Sequence, residues 1–251
     1  MDLGISGRRA VVAGSSAGLG LASASALSAS GARVVICGRD AGRLDAAVAR
    51  LRGAGGDITG LVADVGSIEG ATQFVAEATE VLGGIDILVP NAGGPPPGTF
   101  ASTEMDAYLP ALELNLLSTV AMCKAAVPGM VENGWGRVCA ITSISVRQPI
   151  GVLILSNTAR AGVTGFLKTL ATEVAPHGVT VNTVLPGSHA TDRLTKVHGG
   201  DLSTAAAAVP AGVLGRPEDF GQVVAFLCSD QARFITGVAL QVDGGASRAL
   251  L

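Results

Sequence analysis

The sequence is short of aromatic residues: they make up 3% of its 251 positions, with one tyrosine, one tryptophan and six phenylalanines. Tyr108 is therefore the only phenol available to any chemistry. Charge is sparse as well, at 15% of residues and net −3, with no basic run. Nothing offers the electrostatic grip that a nucleic acid requires, so no nucleic-acid partner is expected. The four cysteines, Cys37, Cys123, Cys139 and Cys228, are scattered without Cys-x-x-Cys spacing. That spacing argues against a disulfide framework or a metal site and for buried free thiols in a reducing cytoplasm. No apolar stretch approaches the ~20 residues of a membrane span, so no membrane association is expected. The first residues, Met1-Asp2-Leu3-Gly4, lack the basic start and apolar run of a signal peptide. No linker, repeat or composition break divides the chain, so a single cytoplasmic domain over 1–251 is expected.

What the chain has in quantity is apolar residues, at 48%, and glycine, at 35 positions. That length and composition suffice for one α/β domain with a sizeable core. Short apolar runs recur at Arg9–Ala13, Arg33–Cys37, Ile58–Val62, Ile85–Val89, Arg137–Ile141, Val179–Val184 and Val238–Val242. Helical patterns separate them, one from about Leu19 to Ser30 ending at Gly31, another capped by Asp40 and reaching Gly53. Unbroken apolar strands alternating with helices predict a three-layer α/β fold with a seven-stranded parallel sheet covered on both faces. Residues 188–210 have no clean period and read as a loop with a small helix, a lid over a site.

The segment Ala13-Gly14-Ser15-Ser16-Ala17-Gly18-Leu19-Gly20 follows the first strand and opens a helix. Glycines there permit a tight turn, close approach of phosphates and close helix–strand packing, and the helix N-terminus favours an anion. A glycine triplet alone is weak, and its position between strand and helix strengthens it. The second strand ends Cys37-Gly38-Arg39-Asp40. An acid at that tip would hold the ribose 2′-hydroxyl of NAD, whereas a basic residue accommodates a 2′-phosphate. Arg39 without an acid thus favours NADP(H) over NAD(H). The plainer alternative is a solvated turn in which Asp40 only caps a helix.

Further along come Ala63-Asp64-Val65, Asn91-Ala92-Gly93-Gly94, Glu113-Leu114-Asn115-Leu116, Ile141-Thr142-Ser143, Ser156-Asn157-Thr158-Ala159-Arg160, Pro186-Gly187, Gly215-Arg216-Pro217-Glu218-Asp219 and Val242-Asp243-Gly244-Gly245. In order and spacing, over almost the whole chain, these segments closely resemble the short-chain dehydrogenase/reductase family, in particular its 3-oxoacyl-ACP reductase type. The resemblance implies a doubly wound Rossmann fold. It places Gly14, Ser15, Ser16, Gly18, Leu19 and Gly20 at the cofactor's diphosphate, Asp64 and Val65 at the adenine, and Asn91, Ala92 and Gly93 at the adenosine side. It places Pro186, Gly187, His189 and Thr191 at the carboxamide and Arg160 at the nicotinamide ribose. Four family residues carry the chemistry: a Ser that polarises the substrate oxygen, a Tyr that exchanges the proton, a Lys that lowers the Tyr pKa, and an Asn that holds a relay water. Ser143 and Asn115 match two of them. Ser156 stands at the Tyr position and Arg160 at the Lys position.

That exchange is chemically large. A phenol titrates at about 10 and a nearby cation brings it towards neutrality, whereas an aliphatic hydroxyl is a far weaker acid. Arginine stays protonated above ~12, so Arg160 can bind but is ill-suited to pass on a proton. Residues four apart share one helix face, so both should look into the cleft. Tyr108, before Asn115, reads as a packing aromatic. His189 could reach the cleft as an acid, although the resemblance gives that position a backbone role. His177 ends a helix and should be exposed, and His198 lies in the lid. Arg147 and Arg193 flank the substrate region and with Arg160 could bind a carboxylate or phosphate, while solvated surface arginines remain the alternative. Halohydrin dehalogenases also carry an Arg, but they keep the Tyr and lose the glycine turn.

Three functions stay open: an NADP(H)-dependent oxidoreductase of atypical mechanism acting on a small-molecule carbonyl, imine or activated alkene; a non-redox enzyme catalysing elimination, isomerisation or cyclisation; and a non-catalytic NADP(H)-binding regulator. Helices around Thr103–Met130 and Leu155–Ala175 should pair subunits in a homotetramer or homodimer, the first being apolar on more than one face.

Overall fold

Runs of valine, isoleucine and leucine with no polar alternation need cover on both sides, and the fold supplies it. The computed structural model describes residues 2–197 and 201–250. Seven strands form one sheet: β1 (Arg9–Val12), β2 (Arg33–Gly38), β3 (Ile58–Val62), β4 (Ile87–Val89), β5 (Gly136–Ile141), β6 (Val179–Pro186) and β7 (Ala239–Val242). Their order is β3-β2-β1-β4-β5-β6-β7, and every neighbouring pair is parallel. The chain reverses its direction of travel between β1 and β4, so a crevice opens at their carboxyl ends, where such sheets bind ligands. This is the three-layer, doubly wound architecture expected from the sequence.

Successive strand residues point to opposite faces. Val11, Val35 and Leu88 join a core with Phe74, Met122, Met130 and Leu167, under α3 (Ile68–Leu82), α5 (Ser118–Glu132) and α6 (Ile154–Val174). Ala10, Val12, Ile36 and Ile87 join the opposite core with Leu27, Leu44 and Phe220, under α1 (Gly18–Ala29), α2 (Ala41–Gly53) and α9 (Pro217–Leu227). All four cysteines are buried and free. Helix ends follow their sequence signals: Asp40 Oδ1 accepts from Arg43 N–H (2.7 Å) at the start of α2, and Ser67 Oγ accepts from Gly70 N–H (3.0 Å) at the start of α3. Gly31 takes φ +86° just past α1.

Three details depart from the sequence reading. The fourth strand starts at Ile87, because Asp86 is held by Arg9: Oδ2 accepts from Nε (2.9 Å) and Oδ1 from Nη2 (2.7 Å). The lid expected over 188–210 carries two short helices among its described residues, α7 (Asp192–Val197) and α8 (Ser203–Ala207). The helix expected near Thr103–Met130 runs from a 3-10 turn at Met105–Ala107 through α4 (Tyr108–Leu112), a π-helical turn at Glu113–Leu117 and then α5. This continuous Met105–Glu132 helix is the one described helix long and apolar enough to cross a membrane, which the sequence reading did not anticipate. In the fold it flanks the sheet, with buried Met122, Cys123 and Met130 in the core.

Candidate active site

The glycine turn is built by exclusion. Gly14 has φ +53° and Gly18 φ +58°. A Cβ on Gly20 would lie 2.4 Å from the Gly14 carbonyl oxygen, so only glycine lets α1 start this close to β1. Asn91, at the end of β4, braces the turn, its amide donating to Ala13 O (3.2 Å) and Gly14 O (3.0 Å). The N-terminus of α1 has no capping side chain at Ala17 and no acid in its first turn. Its N–H groups and dipole end are thus free for an anion, as a diphosphate requires. Ser15 serves the sheet: its buried hydroxyl donates to Val12 O (2.6 Å) and accepts from Cys37 N–H (3.1 Å). Leu19 packs on the α1/α2/α9 core, so of this segment the glycines and Ser16 line the turn itself.

At the tip of β2, Gly38 carries no acid, and a Cβ there would lie 2.6 Å from Ser16 Oγ. Arg39 Nη1 reaches Asp64 Oδ2 at 3.7 Å, with both side chains exposed. Asp64 Oδ1 also accepts from Gly66 N–H (2.9 Å), and Val65 is buried in the core. A hydroxyl and a guanidinium therefore lie at the strand tip. Ala92 is half-buried beside Asn91, and the Gly93 carbonyl accepts from Asn115 Nδ2 (2.7 Å).

Of the expected catalytic set, Ser156 and Arg160 share one helix, as their spacing of four predicts. Ser156 and Arg160 lie one turn apart on the inner face of α6 and are 7% and 8% exposed. Arg160 Nη1 donates to Ile141 O (3.2 Å), its single hydrogen bond. Burial, with the nearby Arg193 charge adding to it, lowers the Arg160 pKa to about 10. Ser143 Oγ accepts from Ser145 N–H (3.1 Å) where β5 gives way to a short turn. Among the described residues, the Ser156 hydroxyl has no hydrogen-bond partner, and Asn115 Oδ1 and Thr142 Oγ1 are buried without one. Unmet buried polar atoms of this kind mark a place completed by water or ligand. Asn115 sits in the π turn, a distortion that favours functional positions and that no residue pattern announces. Asn157, absent from the sequence-based site, anchors the approach to α6 by donating to Ile150 O (2.9 Å).

The last strand ends complete the rim. Gly187 packs against Asp243, where a Cβ would come within 2.7 Å of the Asp243 Cβ. Thr191 Cγ2 would lie 3.8 Å from a Cβ on Gly18, so the carboxamide segment faces the glycine turn. His189 is turned into the protein. Its ring lies edge-on to Phe220 at 5.1 Å, its Nδ1 is 3.1 Å from Gly187 O, and burial lowers its pKa. Gly215 makes this possible, because a Cβ there would lie 2.5 Å from the ring. The imidazole is thus packing, and only the His189 backbone remains for a ligand. Arg147 donates from Nη2 to Ala239 O (3.3 Å) on β7. Arg193 lies over Gly94. Tyr108 is half-buried at the start of α4, His177 is exposed, and His198 lies outside the described residues. No cluster of metal-ligating side chains occurs among the described residues.

With this geometry in view, the likeness to known proteins is informative. A family model described as enoyl-(acyl carrier protein) reductase matches residues 13–247. The 3-oxoacyl-[acyl-carrier-protein] reductase of Vibrio cholerae is 38% identical over 167 residues, which are 66% of this chain and 68% of that protein. L-Sorbose reductase from Gluconobacter frateurii, solved with NADPH and L-sorbose, superposes with a TM-score of 0.93 at 35% identity, covering 100% of both chains. A 3-oxoacyl (acyl-carrier-protein) reductase from Agrobacterium tumefaciens with NADP bound superposes with a TM-score of 0.92 at 32% identity, covering 97% of this chain and 96% of that one.

Proposed function

This chain belongs to the short-chain dehydrogenase/reductase family, and on that footing we propose that it is an NADP(H)-dependent reductase of a small oxo compound, imine or activated alkene that works without a titrating acid. The observation that carries the cofactor half is the uncapped α1 N-terminus beneath Gly14, Gly18 and Gly20, a cradle that any added Cβ at Gly20 would fill. The glycine turn would hold the diphosphate, and Ser16 with Arg39 the 2′-phosphate. Arg160 would hold the nicotinamide ribose, and Gly187 with Thr191 the carboxamide end. NADPH, when bound, supplies the hydride, and similar proteins with NADPH or NADP bound support that choice.

In the catalytic half, Ser143 donates a hydrogen bond to the substrate oxygen and polarises it. The Ser156 hydroxyl, free of protein partners, is the second donor. Neither it nor Arg160 releases a proton near neutral pH, so the proton comes from water held by the unpartnered Asn115 Oδ1 and Thr142 Oγ1. Positioning and oriented donors then supply the rate enhancement. A second reading rests on the same replacements at 156 and 160: a substrate is bound and isomerised or dehydrated with no net redox change. Calorimetric titration with NADPH and NADH tests the cofactor assignment. NADPH should bind at least tenfold more tightly, and Arg39→Ala should erase most of the difference. Equal affinities in the wild type would overturn it. We also propose that the chain assembles as a homotetramer through Met105–Glu132 and α6.

A further inference from the structure

Arg193, in α7, lies across the end of the Asn91–Gly94 segment. A Cβ on Gly94 would sit 2.5 Å from Arg193 Nη2 and 2.9 Å from Nη1, so the guanidinium fills the space that a side chain at 94 would take. The adjoining Gly93 carbonyl is the acceptor for Asn115, which brings Arg193 to the Asn115 side of the cleft. Arg160 belongs to the same cleft from the α6 wall, close enough that the charge of Arg193 acts on it. Two guanidinium groups thus share one cleft, and neither has a carboxylate within ion-pairing distance among the described residues.

Arg193 itself is exposed and Arg160 is buried; the other arginines of low exposure are treated differently from Arg160. Arg9 is paired with Asp86, and Arg137 donates to Ser229 O (3.1 Å) and Gly136 O (2.8 Å) beside Asp230. Arg160 uses one of its five donors. Burying a cation without a partner is unfavourable, and bringing a like charge near it adds to the penalty. An anion that enters the cleft relieves both terms. Carboxylate suits the geometry of a guanidinium fork, which it engages with two parallel hydrogen bonds.

We propose that the substrate carries a carboxylate, anchored by Arg193 on the α7 side of the cleft and by the charge of Arg160 on the α6 side. The inference deepens the reductase assignment, since the reacting oxo group rests on that assignment and the carboxylate rests on the arginine pair. Arg193 is then the specificity-determining residue, and an uncharged oxo compound of the same skeleton is a poor ligand.

Equilibrium binding tests this without turnover. The protein, with and without saturating NADP+, is titrated calorimetrically with 2-oxobutanoate, 3-oxobutanoate and 4-oxopentanoate and with the methyl ester of each. At least one acid should bind tenfold or more tightly than its ester. Arg193→Gln should weaken that acid at least tenfold, leave the ester unchanged and leave NADP+ affinity within twofold. Lys196→Gln, on the same helix with its side chain in solvent, should alter none of these values. Esters that bind as well as their acids, or no acid binding at all, overturn the inference. So does an Arg193→Gln variant that loses NADP+ affinity and keeps acid binding, because the arginine would then serve the cofactor's phosphates. An acid that binds through Arg193 but is never reduced by NADPH counts against the reductase assignment and leaves the carboxylate site standing.

Discussion

Arg160 is a buried cation whose side chain makes one hydrogen bond among the described residues, in the helix position where the family resemblance implies a lysine. A lysine in such a place can lower the pKa of a neighbouring phenol; a guanidinium next to Ser156 has no such partner to act on. We therefore propose that the residue binds rather than transfers protons. Arg160→Met should lower NADPH affinity at least tenfold. It should also stabilise the ligand-free protein by roughly 1–2 kcal/mol, a rise of a few degrees in Tm, because an unpaired buried charge is removed. Loss of both binding and stability in thermal melts and calorimetry would show Arg160 to be structural. Ser156→Ala should reduce kcat only about two- to tenfold with cofactor affinity unchanged, since Ser143 remains to polarise the oxygen. Complete loss of turnover at full affinity would make the Ser156 hydroxyl a direct chemical participant. That Ser156 and Arg160 share one buried face of a helix was legible in the sequence from their spacing of four. The approach of Arg193 to Gly94 and the burial of His189 against Phe220 were not, because each joins residues far apart in the chain and depends on a glycine whose role is only to leave room.

The elements that hold the cofactor side were nearly all readable, because continuous apolar runs and capping residues act locally. All seven strands and the glycine turn fall on the segments the pattern placed them in, the fourth strand starting two residues late at Ile87. The π turn around Asn115, which lies against α6, was not readable, since the i to i+5 bonding that defines it has no residue signature. Two consequences belong to this scale. Gly20→Ala would drive a Cβ into the Gly14 carbonyl, so it should destabilise the fold by about 1–3 kcal/mol in denaturant unfolding and lower NADPH affinity more than tenfold. Unchanged binding would remove the glycine turn from the cofactor site. At the opposite ends of the same strands, burial pushes the Asp86 carboxyl up, but its bonds to Arg9 outweigh this and hold it below the usual carboxylate range. A carboxylate whose folded pKa is depressed stabilises the fold above its unfolded value and loses that contribution as pH falls through the folded one. Acid unfolding should therefore steepen below about pH 4. Asp86→Asn should be less stable by about 1–2 kcal/mol at pH 7, allowing for partial exposure, with the difference closing towards pH 2. A pH-independent difference in urea midpoints would contradict the assigned charge pair.

At the scale of the whole molecule, the long Met105–Glu132 helix is the feature the single subunit leaves least explained. Its inner residues join the core, while Met105 is 80% and Leu109 74% exposed. Apolar side chains on the outside of a core helix call for cover by another protein surface, and we propose that a second copy supplies it. Light scattering at micromolar concentration should give a mass about four times 24.9 kDa, and Leu109→Glu should shift it towards smaller species. A monomer in the wild type would contradict this. The alternation of apolar runs with helical patterns pointed to the α/β architecture, but it could not show that one helix would combine core packing with exposed Met105 and Leu109. We propose above all that this scaffold performs NADPH-dependent reduction with Ser156 and Arg160 at the positions where the family resemblance implies a tyrosine and a lysine. The measurement that meets it most directly is NADPH absorbance, followed alongside product formation, with purified protein and a panel of oxo acids, their esters, imines and activated alkenes. The expected result is loss of NADPH in one-to-one proportion to reduced product, at a rate that does not fall between pH 6 and 9. Substrate conversion with no change in NADPH, or tight NADPH binding with no conversion of any compound, would contradict it.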